Sequence, residues 1–318
     1  MESILLFDTA EGSDNVGDNI IMDYCQQQLL NMFDDTLYWY DKVPTHLEIR
    51  RSAYKKNKDA RYSFVCGTNI LKTSMLKKKV WKIGLREAIN LDGLILMGVG
   101  WGNYNNFNPD PYTKLVYRLV LDKKKIHSVR DEYTKLKLNS IGISNVVNTT
   151  CPTMWNLSQE HCSRIPRMKS KNVITALTYY KADIEKDKYM FDVLHKNYEK
   201  IYLWIQQKED YEYFKSLNIN YEIEIINPLI SNYDNILKSH QADFIGSRLH
   251  GGIRALNFGC RTLIIGIDNR AIEINRDTNL PVINRCQIES LDYWINSNYS
   301  TEIILPIENI NNWREQFK

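Results

Sequence analysis

Long apolar runs are missing from this sequence. No stretch approaches the roughly 18 apolar residues that a membrane-spanning helix needs. The start, Met1-Glu2-Ser3 followed by four apolar residues, lacks the basic region and long apolar segment of a secretory signal peptide. These absences predict a cytoplasmic protein, and they leave open a peripheral contact with the inner face of the membrane.

Cysteine motifs are also missing. The six cysteines are scattered without a CxxC pair, and Cys66 and Cys260 lie inside apolar segments. Buried, reduced thiols in a reducing compartment have this distribution. Cys151, which precedes Pro152, is a candidate nucleophile, but a buried structural thiol is the favoured interpretation.

No large excess of charge is present. The chain has 41 basic and 38 acidic residues, for a formal net charge of +3. Proteins whose main partner is a nucleic acid usually carry a concentrated basic surplus, so that class is disfavoured. The lysine runs 77–79 and 123–125 are consistent with solvated helix faces, or with contact to an acidic membrane surface or a phosphate.

Several motifs of metal and nucleotide chemistry are absent. The sequence contains no HExxH motif, no DxD-like cluster, no GxSxG, no GxGxxG and no P-loop. We therefore expect no dedicated metal site and no serine nucleophile of the α/β-hydrolase type.

Short apolar segments alternate with amphipathic ones along most of the chain, as in parallel βαβ units. The first series begins with a strand at 4–7 and a helix at 17–32, and a second begins with a strand at 173–177. Between them, at 156–171, the periodicity fails and charge rises. We predict an α/β protein of two Rossmann-like domains, 1–160 and 161–318, with ligands at the carboxyl ends of the strands.

The strongest strand-to-helix junction lies near residue 247. A strand at 243–246 runs into Ser247, a candidate helix cap, and Gly251 permits close approach of a ligand to the backbone. Arg248 and His250 are two positions apart, so in extended chain they face one pocket. Arginine, imidazole and a helix N-terminus suit an anion together with proton transfer. The alternative is a surface ion pair for Arg248 and a structural role for His250.

Arg130 follows a strand at 126–129 and precedes Asp131 and Glu132, which open a helix. Arg130 either pairs with one of these carboxylates or reaches a second anionic group of the ligand held by Arg248.

Two glycine-containing loops give weaker signals. Asn15 and Asp18 flank Gly17 at the start of the first helix. The sequence there is compatible with binding of a sugar or a phosphate, or with a capped turn that binds no ligand. Trp101, between Gly100 and Gly102 after another strand, is a candidate platform for stacking a sugar ring.

Three segments together resemble the polysaccharide pyruvyltransferase family. They are Ser128-Val129-Arg130-Asp131-Glu132, then Cys151-Pro152-Thr153, then Ser247-Arg248-Leu249-His250, and the early loop 15–18 is similar too. The resemblance covers nearly the whole chain in order, and its specific part is the Arg-Asp-Glu and Arg-Leu-His motifs.

This resemblance implies two Rossmann-like domains facing a cleft, as in the two-domain (GT-B) glycosyltransferases. It implies transfer of pyruvate from phosphoenolpyruvate, as co-substrate and with no resident cofactor, onto two hydroxyls of a sugar or lipid-linked oligosaccharide. A cyclic ketal and phosphate result. Arg130 and Arg248, with Ser247 and Gly251, would hold the donor in the C-terminal half, and His250 would be the acid/base residue.

The acceptor would lie toward the N-terminal half, with Asn15, Asp18, Trp101 and Arg270 along the cleft. Two departures from the family pattern bear on these assignments. Cys151 stands where the family often has aspartate, and residues 268–270, Asp-Asn-Arg, stand where it tends to have tyrosine and lysine.

Two other classes of function remain. A glycosyltransferase of the same shape would bind a nucleotide sugar and would need an acidic residue to contact the ribose, for which Glu273 is the candidate. A non-catalytic carbohydrate-binding protein would have no need for Arg130, Arg248 and His250 to converge.

Overall fold

The computed structural model of the chain describes residues 2–33, 37–76, 80–102, 105 and 107–318. They form two compact units. The N-terminal unit comprises Met1–Asp14, Ile21–Trp155 and Pro306–Lys318, and the C-terminal unit comprises Asn15–Ile20 and Asn156–Leu305.

The N-terminal unit is built on a parallel sheet of order β2-β1-β3-β4. The strands of this unit up to residue 155 are β1 (Glu2–Asp8), β2 (Tyr38–Pro44), β3 (Ala60–Cys66), β4 (Leu94–Met97), β5 (His127–Val129) and β6 (Val146–Asn148). The helices are α1 (Val16–Met32), α2 (Arg51–Asp59), α3 (Leu85–Asn90), α4 (Pro111–Val120) and α5 (Glu132–Asn139), and the first residues of α1, up to Ile20, belong to the C-terminal unit. Strands β5 and β6 form a parallel pair, and a bridge between Val99 and Val129 links it to the end of β4.

Strand β1 shows why this sequence folds as a central parallel strand. Ile4 to Phe7 are fully buried. A strand covered on both faces has a continuous apolar run instead of the alternation of a half-exposed strand.

The C-terminal unit carries a six-stranded parallel sheet of order β12-β11-β10-β7-β8-β9. Its elements are α6 (Gln159–Ser163), β7 (Asn172–Thr175), α7 (Ile184–Asn197), β8 (Lys200–Trp204), α8 (Lys208–Ser216), β9 (Glu224–Ile226), α9 (Ile230–Leu237), β10 (Ala242–Gly246), α10 (Leu249–Asn257), β11 (Thr262–Gly266), α11 (Asn269–Thr278), β12 (Val282–Asn284) and α12 (Leu291–Asn296). The chain winds outward from β7 to β9 and then returns to β10 beside β7. The switch point between β7 and β10 is where open sheets of this class place their ligands.

The division between the units differs from the predicted one at 160/161. The change falls at Trp155. The last helix, α13 (Ile307–Glu315), belongs to the N-terminal unit, where Trp313 packs against Phe64 and Trp155 at ring centroid distances of 5.8 and 5.6 Å. The loss of periodicity near residue 156 marks this boundary, but no local pattern shows where the last helix packs.

The lysine run 77–79 lies outside the described residues. In the other run Lys123 and Lys124 are exposed, whereas the Lys125 ammonium donates to the Gln316 carbonyl oxygen at 2.6 Å and lies 5.3 Å from the Phe317 ring centroid. Within the part of the chain that the structure describes, no helix has the length and apolar character needed to cross a bilayer.

The predicted α/β class is confirmed, since both units are built on parallel sheets. The cysteines are also distributed as expected. Five are buried and Cys286 is exposed. Burial raises the pKa of the Cys151 thiol, which is 1% exposed, so it stays protonated and packs as a structural residue.

Candidate functional site

The carboxyl ends of β7 and β10 meet closely at the switch point. A Cβ atom at Gly246 would lie 2.6 Å from the Ala176 backbone nitrogen, so only glycine fits there. The Ser247 hydroxyl donates to the Ala176 carbonyl oxygen at 3.2 Å and lies 3.0 Å from the Thr178 hydroxyl. Ser247 therefore joins the two strand ends. It does not cap α10 as predicted, because its side chain is bonded to β7 and the N-cap position is occupied by Arg248.

Arg248 is held on several sides within the C-terminal unit. Its Nε donates to the Leu177 carbonyl oxygen at 2.8 Å, and its Nη2 donates to the Gln207 Oε1 at 2.9 Å and to the Asp210 carboxylate. Its Nη1 donates to the Asn15 Oδ1 at 3.4 Å. The side chain is 5% exposed. The sequence left open whether Arg248 faces a pocket or forms a surface ion pair, and the structure shows a guanidinium that is paired with Asp210 but buried.

Asp210 is the partner that compensates this charge. It is 1% exposed and accepts hydrogen bonds from the backbone amides of Tyr179 and Gln207, each at 3.1 Å. Burial raises the pKa of the Asp210 carboxyl, and the Arg248 guanidinium opposes that rise. Three segments thus fix Arg248: the chain after β7, the start of α8 and the loop before α1.

Arg270 forms a second pair of the same kind. Its Nε donates to Asp268 at 2.9 Å, and its Nη2 contacts both Asp268 and the Tyr180 hydroxyl. The Tyr180 ring, 43% exposed, has the Arg270 Cζ 6.0 Å and the Arg248 Cζ 5.7 Å from its centroid. Two arginine–aspartate pairs therefore flank one tyrosine at the carboxyl edge of the sheet.

His250 and Gly251 lie in the first turn of α10, and both are buried. A Cβ atom at Gly251 would lie 2.9 Å from the Gln206 Nε2, and the Gly251 carbonyl oxygen accepts a hydrogen bond from the Tyr233 hydroxyl at 2.8 Å. The start of α10 thus packs directly on the end of β8.

The loop before α1 belongs to the same unit. The Asn15 Oδ1 accepts the Gly17 amide at 3.1 Å, and the Val16 amide donates to the Gln206 carbonyl oxygen at 3.2 Å. Asp18 is buried in the first turn of α1. Of the residues predicted to line the cleft, Asn15 accepts a hydrogen bond from Arg248, and Arg270 lies beside Tyr180, the same tyrosine that neighbours Arg248.

Arg130 lies in the N-terminal unit and is 1% exposed. Its Nε and Nη2 donate to the Asp131 Oδ2 at 3.3 and 3.2 Å, so the ion pair that the sequence left open is present. Asp131 also caps α5 by accepting the Thr134 amide at 2.7 Å. A Cβ atom at Gly100 would lie 2.5 Å from the Arg130 Cζ, so the glycine makes room for the guanidinium. The role of Arg130 toward a donor stays a prediction.

Trp101 requires a correction. It is 1% exposed, packs against Tyr117 at 6.2 Å between ring centroids, and its indole N–H donates to the Thr73 hydroxyl at 3.4 Å. Because the ring lies in the core of the N-terminal unit, it presents no face to a sugar. The glycines beside it signalled a loop, but the tryptophan between them points inward.

Glu273, the candidate for contact with a ribose, is also buried. Its carboxylate is 4% exposed and pairs with Arg276 at 2.8 Å on α11. Among the described residues, no group of three or more His, Cys, Asp or Glu side chains is arranged to hold a metal ion.

Comparison with solved structures shows the fold. The UDP-GlcNAc 2-epimerase of Neisseria meningitidis, solved bound to UDP-GlcNAc, aligns with 100% of this chain and 98% of its own, at 11% identity and a TM-score of 0.55. A Listeria monocytogenes structure assigned by name to the UDP-N-acetylglucosamine 2-epimerases aligns with 99% of this chain and 90% of its own, at 12% identity and a TM-score of 0.46. At such identity the likeness carries no information about activity.

No curated protein matches the sequence. The sequence profile of one family, described as polysaccharide pyruvyl transferase, matches residues 15–269. This range spans most of the chain and includes Arg130, Arg248, His250 and the loop at Asn15. The chain therefore belongs to the polysaccharide pyruvyl transferase family, whose activity is the transfer of pyruvate to polysaccharide.

Proposed function

We propose that the chain transfers pyruvate from phosphoenolpyruvate onto two hydroxyls of one sugar, in a cell-surface polysaccharide or its lipid-linked precursor. The reaction forms a cyclic ketal and releases phosphate. The observation that carries this proposal is the approach of Arg248 and Arg270 to Tyr180 at the carboxyl edge of the sheet, with His250 in the first turn of α10.

The donor is a compact molecule that carries a carboxylate and a phosphate on neighbouring atoms. Two arginines with planar N–H arrays suit two such groups, so we assign Arg270, which the resemblance placed on the acceptor side, to the donor beside Arg248. Because each arginine is already paired with an aspartate, recognition depends on directed hydrogen bonds and on the N-terminus of α10 more than on net charge. Ser247 and Gly251 support this site by fixing the strand end and the first turn.

The proposed chemistry is one of proton transfers. The C3 carbon of phosphoenolpyruvate gains a proton, one acceptor oxygen bonds to C2, the bond from C2 to the phosphate oxygen breaks, and the second acceptor oxygen bonds to C2. Of the two hydroxyl protons lost, one balances the proton gained at C3 and the other leaves with phosphate. His250 is the proposed acid/base residue, since an imidazole both accepts and donates protons near neutral pH.

A nucleotide-sugar donor is the alternative, because the Neisseria structure of similar fold is bound to UDP-GlcNAc. The buried, paired state of Glu273 weighs against it, since a ribose would need that carboxylate to be accessible. One experiment tests which donor is used, whether a ketal is formed and whether the reaction proceeds without a metal.

That experiment incubates the purified chain with phosphoenolpyruvate and a panel of glycosides and lipid-linked sugars, in the presence of a strong chelator. The proposal expects phosphate release that depends on an acceptor, and an acceptor whose mass rises by that of a pyruvate ketal. A parallel reaction replaces phosphoenolpyruvate with uridine, guanosine and cytidine diphosphate sugars. Consumption of a nucleotide sugar there, while phosphoenolpyruvate remains intact in the first reaction, would refute the proposal.

A further inference from the structure

An open groove lies in the N-terminal unit, and its lining contains none of the residues assigned to the proposed donor site. It has a volume of about 770 Å³ and is formed by the segments that follow β3 and β4. Its lining includes Thr73, Ser74, Asn105, Phe107, Asn108 and Asp110. This volume is in the range of small-molecule sites.

We propose that this groove binds a sugar ring of the acceptor polysaccharide, with Phe107 as the aromatic platform. The Phe107 side chain is 75% exposed, so its ring is accessible to a ligand in the groove. Amides, hydroxyls and one carboxylate surround it. A pyranose has the matching chemistry, because its hydroxyls form hydrogen bonds around the rim while its C–H face packs on an aromatic ring.

The charges of the described lining residues suit a neutral saccharide. Lys72 and Asp110 carry opposite charges, and none of the lining residues that the structure describes is an arginine. Thr73 and Asn105, from the two segments that form it, are joined by a hydrogen bond of 3.0 Å between the Thr73 hydroxyl and the Asn105 Oδ1. The Asp110 amide donates to the Thr73 carbonyl oxygen at 3.1 Å, so the walls are fixed to each other.

The groove is also tied to the helix that follows Arg130. The Tyr133 hydroxyl of α5 donates to the Asn105 carbonyl oxygen at 2.9 Å. The Lys137 ammonium, one turn later, donates to the carbonyl oxygens of Asn105 and Phe107 at 2.9 and 3.0 Å. Since α5 begins at the Arg130–Asp131 pair, the same helix carries the family motif at its start and contacts the groove through its side chains.

Trp101 explains why the sequence pointed to the wrong aromatic residue. Its indole lies beneath Thr73 and supports the groove from inside the core. Phe107 follows six positions later and carries no glycine signal, so only its exposure identifies it.

The test measures sugar binding with no donor present. The fluorescently labelled full chain is applied to an array of immobilised disaccharides of glucose, galactose, mannose and their N-acetylated forms. Wild type should bind at least one of them. Phe107→Ala should bind at least tenfold more weakly with an unchanged melting temperature, and Phe107→Tyr should bind nearly as wild type does. Trp39→Ala, at an aromatic residue of β2 that is 63% exposed, is the matched control and should keep its binding.

If Phe107→Ala has a lower melting temperature than wild type, Asn108→Ala on the same rim is tested in its place, and it is expected to show the same loss of saccharide affinity. The inference is overturned when wild type binds no saccharide, when neither groove variant weakens binding, or when Trp39→Ala weakens it equally. It rests on the sugar acceptor of the proposed function but not on its donor. A chain that binds saccharides but is not stabilised by phosphoenolpyruvate would refute the donor alone.

Discussion

Asp210 accepts a hydrogen bond from the Arg248 guanidinium, and both side chains are buried at the switch point of the C-terminal sheet. The pair joins the residue at the start of α10 to the first turn of α8, 38 residues away in the sequence. Its consequence is that the arginine of the family motif has a built-in anionic partner, which reduces its attraction for an anionic donor.

This relationship predicts the behaviour of Asp210→Asn. Removal of the carboxylate leaves a buried, uncompensated guanidinium, so the free energy of unfolding should fall by about 3 kcal/mol. The same guanidinium should then bind an anion more strongly, and phosphoenolpyruvate should raise the melting temperature more than it does in wild type.

Asp187→Asn is the control for this prediction. Asp187 is also buried in the C-terminal unit, where it accepts a hydrogen bond from the Tyr213 hydroxyl at 2.5 Å and lies 3.8 Å from Arg285. The Asp187→Asn variant should be less stable than wild type, but phosphoenolpyruvate should raise its melting temperature by the same amount as in wild type. A smaller ligand shift in Asp210→Asn would show that Asp210 positions Arg248 for the donor and does not compete with it.

His250→Ala should separate catalysis from binding. Loss of an acid/base group typically costs about 10²-fold or more in turnover, whereas stabilisation by phosphoenolpyruvate should persist. Steady-state kinetics and thermal melts measure the two effects. His195→Ala, at an exposed residue of α7, should change neither. Near-normal turnover in His250→Ala would remove the histidine from the mechanism.

Gly100→Ala tests Arg130 without altering the arginine itself. The new methyl group would lie 2.5 Å from the Arg130 Cζ and Nη2, so the guanidinium must move or the unit must deform. Overpacking of this kind costs about 1–3 kcal/mol. If Arg130 contributes to donor binding, the phosphoenolpyruvate shift should also fall. Gly102→Ala is the control, since the atom nearest to its methyl group would be the flexible Lys72 Cε at 3.3 Å, and the Asn69 and Leu71 carbonyl oxygens at 3.4 Å would be in ordinary contact. An unchanged ligand shift in Gly100→Ala would assign Arg130 to structure alone.

His127 should make stability fall in mild acid. The ring is fully buried, with Nε2 2.9 Å from the Asp122 carbonyl oxygen and Nδ1 3.3 Å from the Leu96 amide, and burial lowers its pKa from 6.5 to about 4. The unfolded chain therefore binds more protons between these pKa values, so stability is complete above pH 6.5 and is lost as the pH falls toward 4. Between pH 7 and 5 this amounts to about 2 kcal/mol.

Urea unfolding at several pH values, compared with His127→Gln, measures this effect. The variant should be less stable at pH 7 but should lose less stability on acidification. Equal pH dependence in both proteins would show that other groups govern acid unfolding.

Local pattern was enough to predict most of the strands, because continuous apolar runs such as Ile4–Phe7 define buried strands, but the short strands β6 and β12 were not predicted. Arg248 and His250 were selected as candidates for the same reason, since they follow a buried strand directly. Pairings between distant segments left no local signal. Asp210 and Tyr180 were missed because their contacts with Arg248 join separate strand ends, and Trp101 was misassigned because burial depends on the packing of the whole unit.

The central claim is that the site takes a small, doubly anionic donor, and a thermal melt with candidate donors tests it most directly. A ligand that binds only the native state stabilises it according to RT ln(1 + [L]/Kd), so one at about 100 times its Kd adds about 2.7 kcal/mol. The account predicts that phosphoenolpyruvate raises the melting temperature and that uridine, guanosine and cytidine diphosphate sugars have little effect. Stabilisation by a nucleotide sugar, with none by phosphoenolpyruvate, would contradict it.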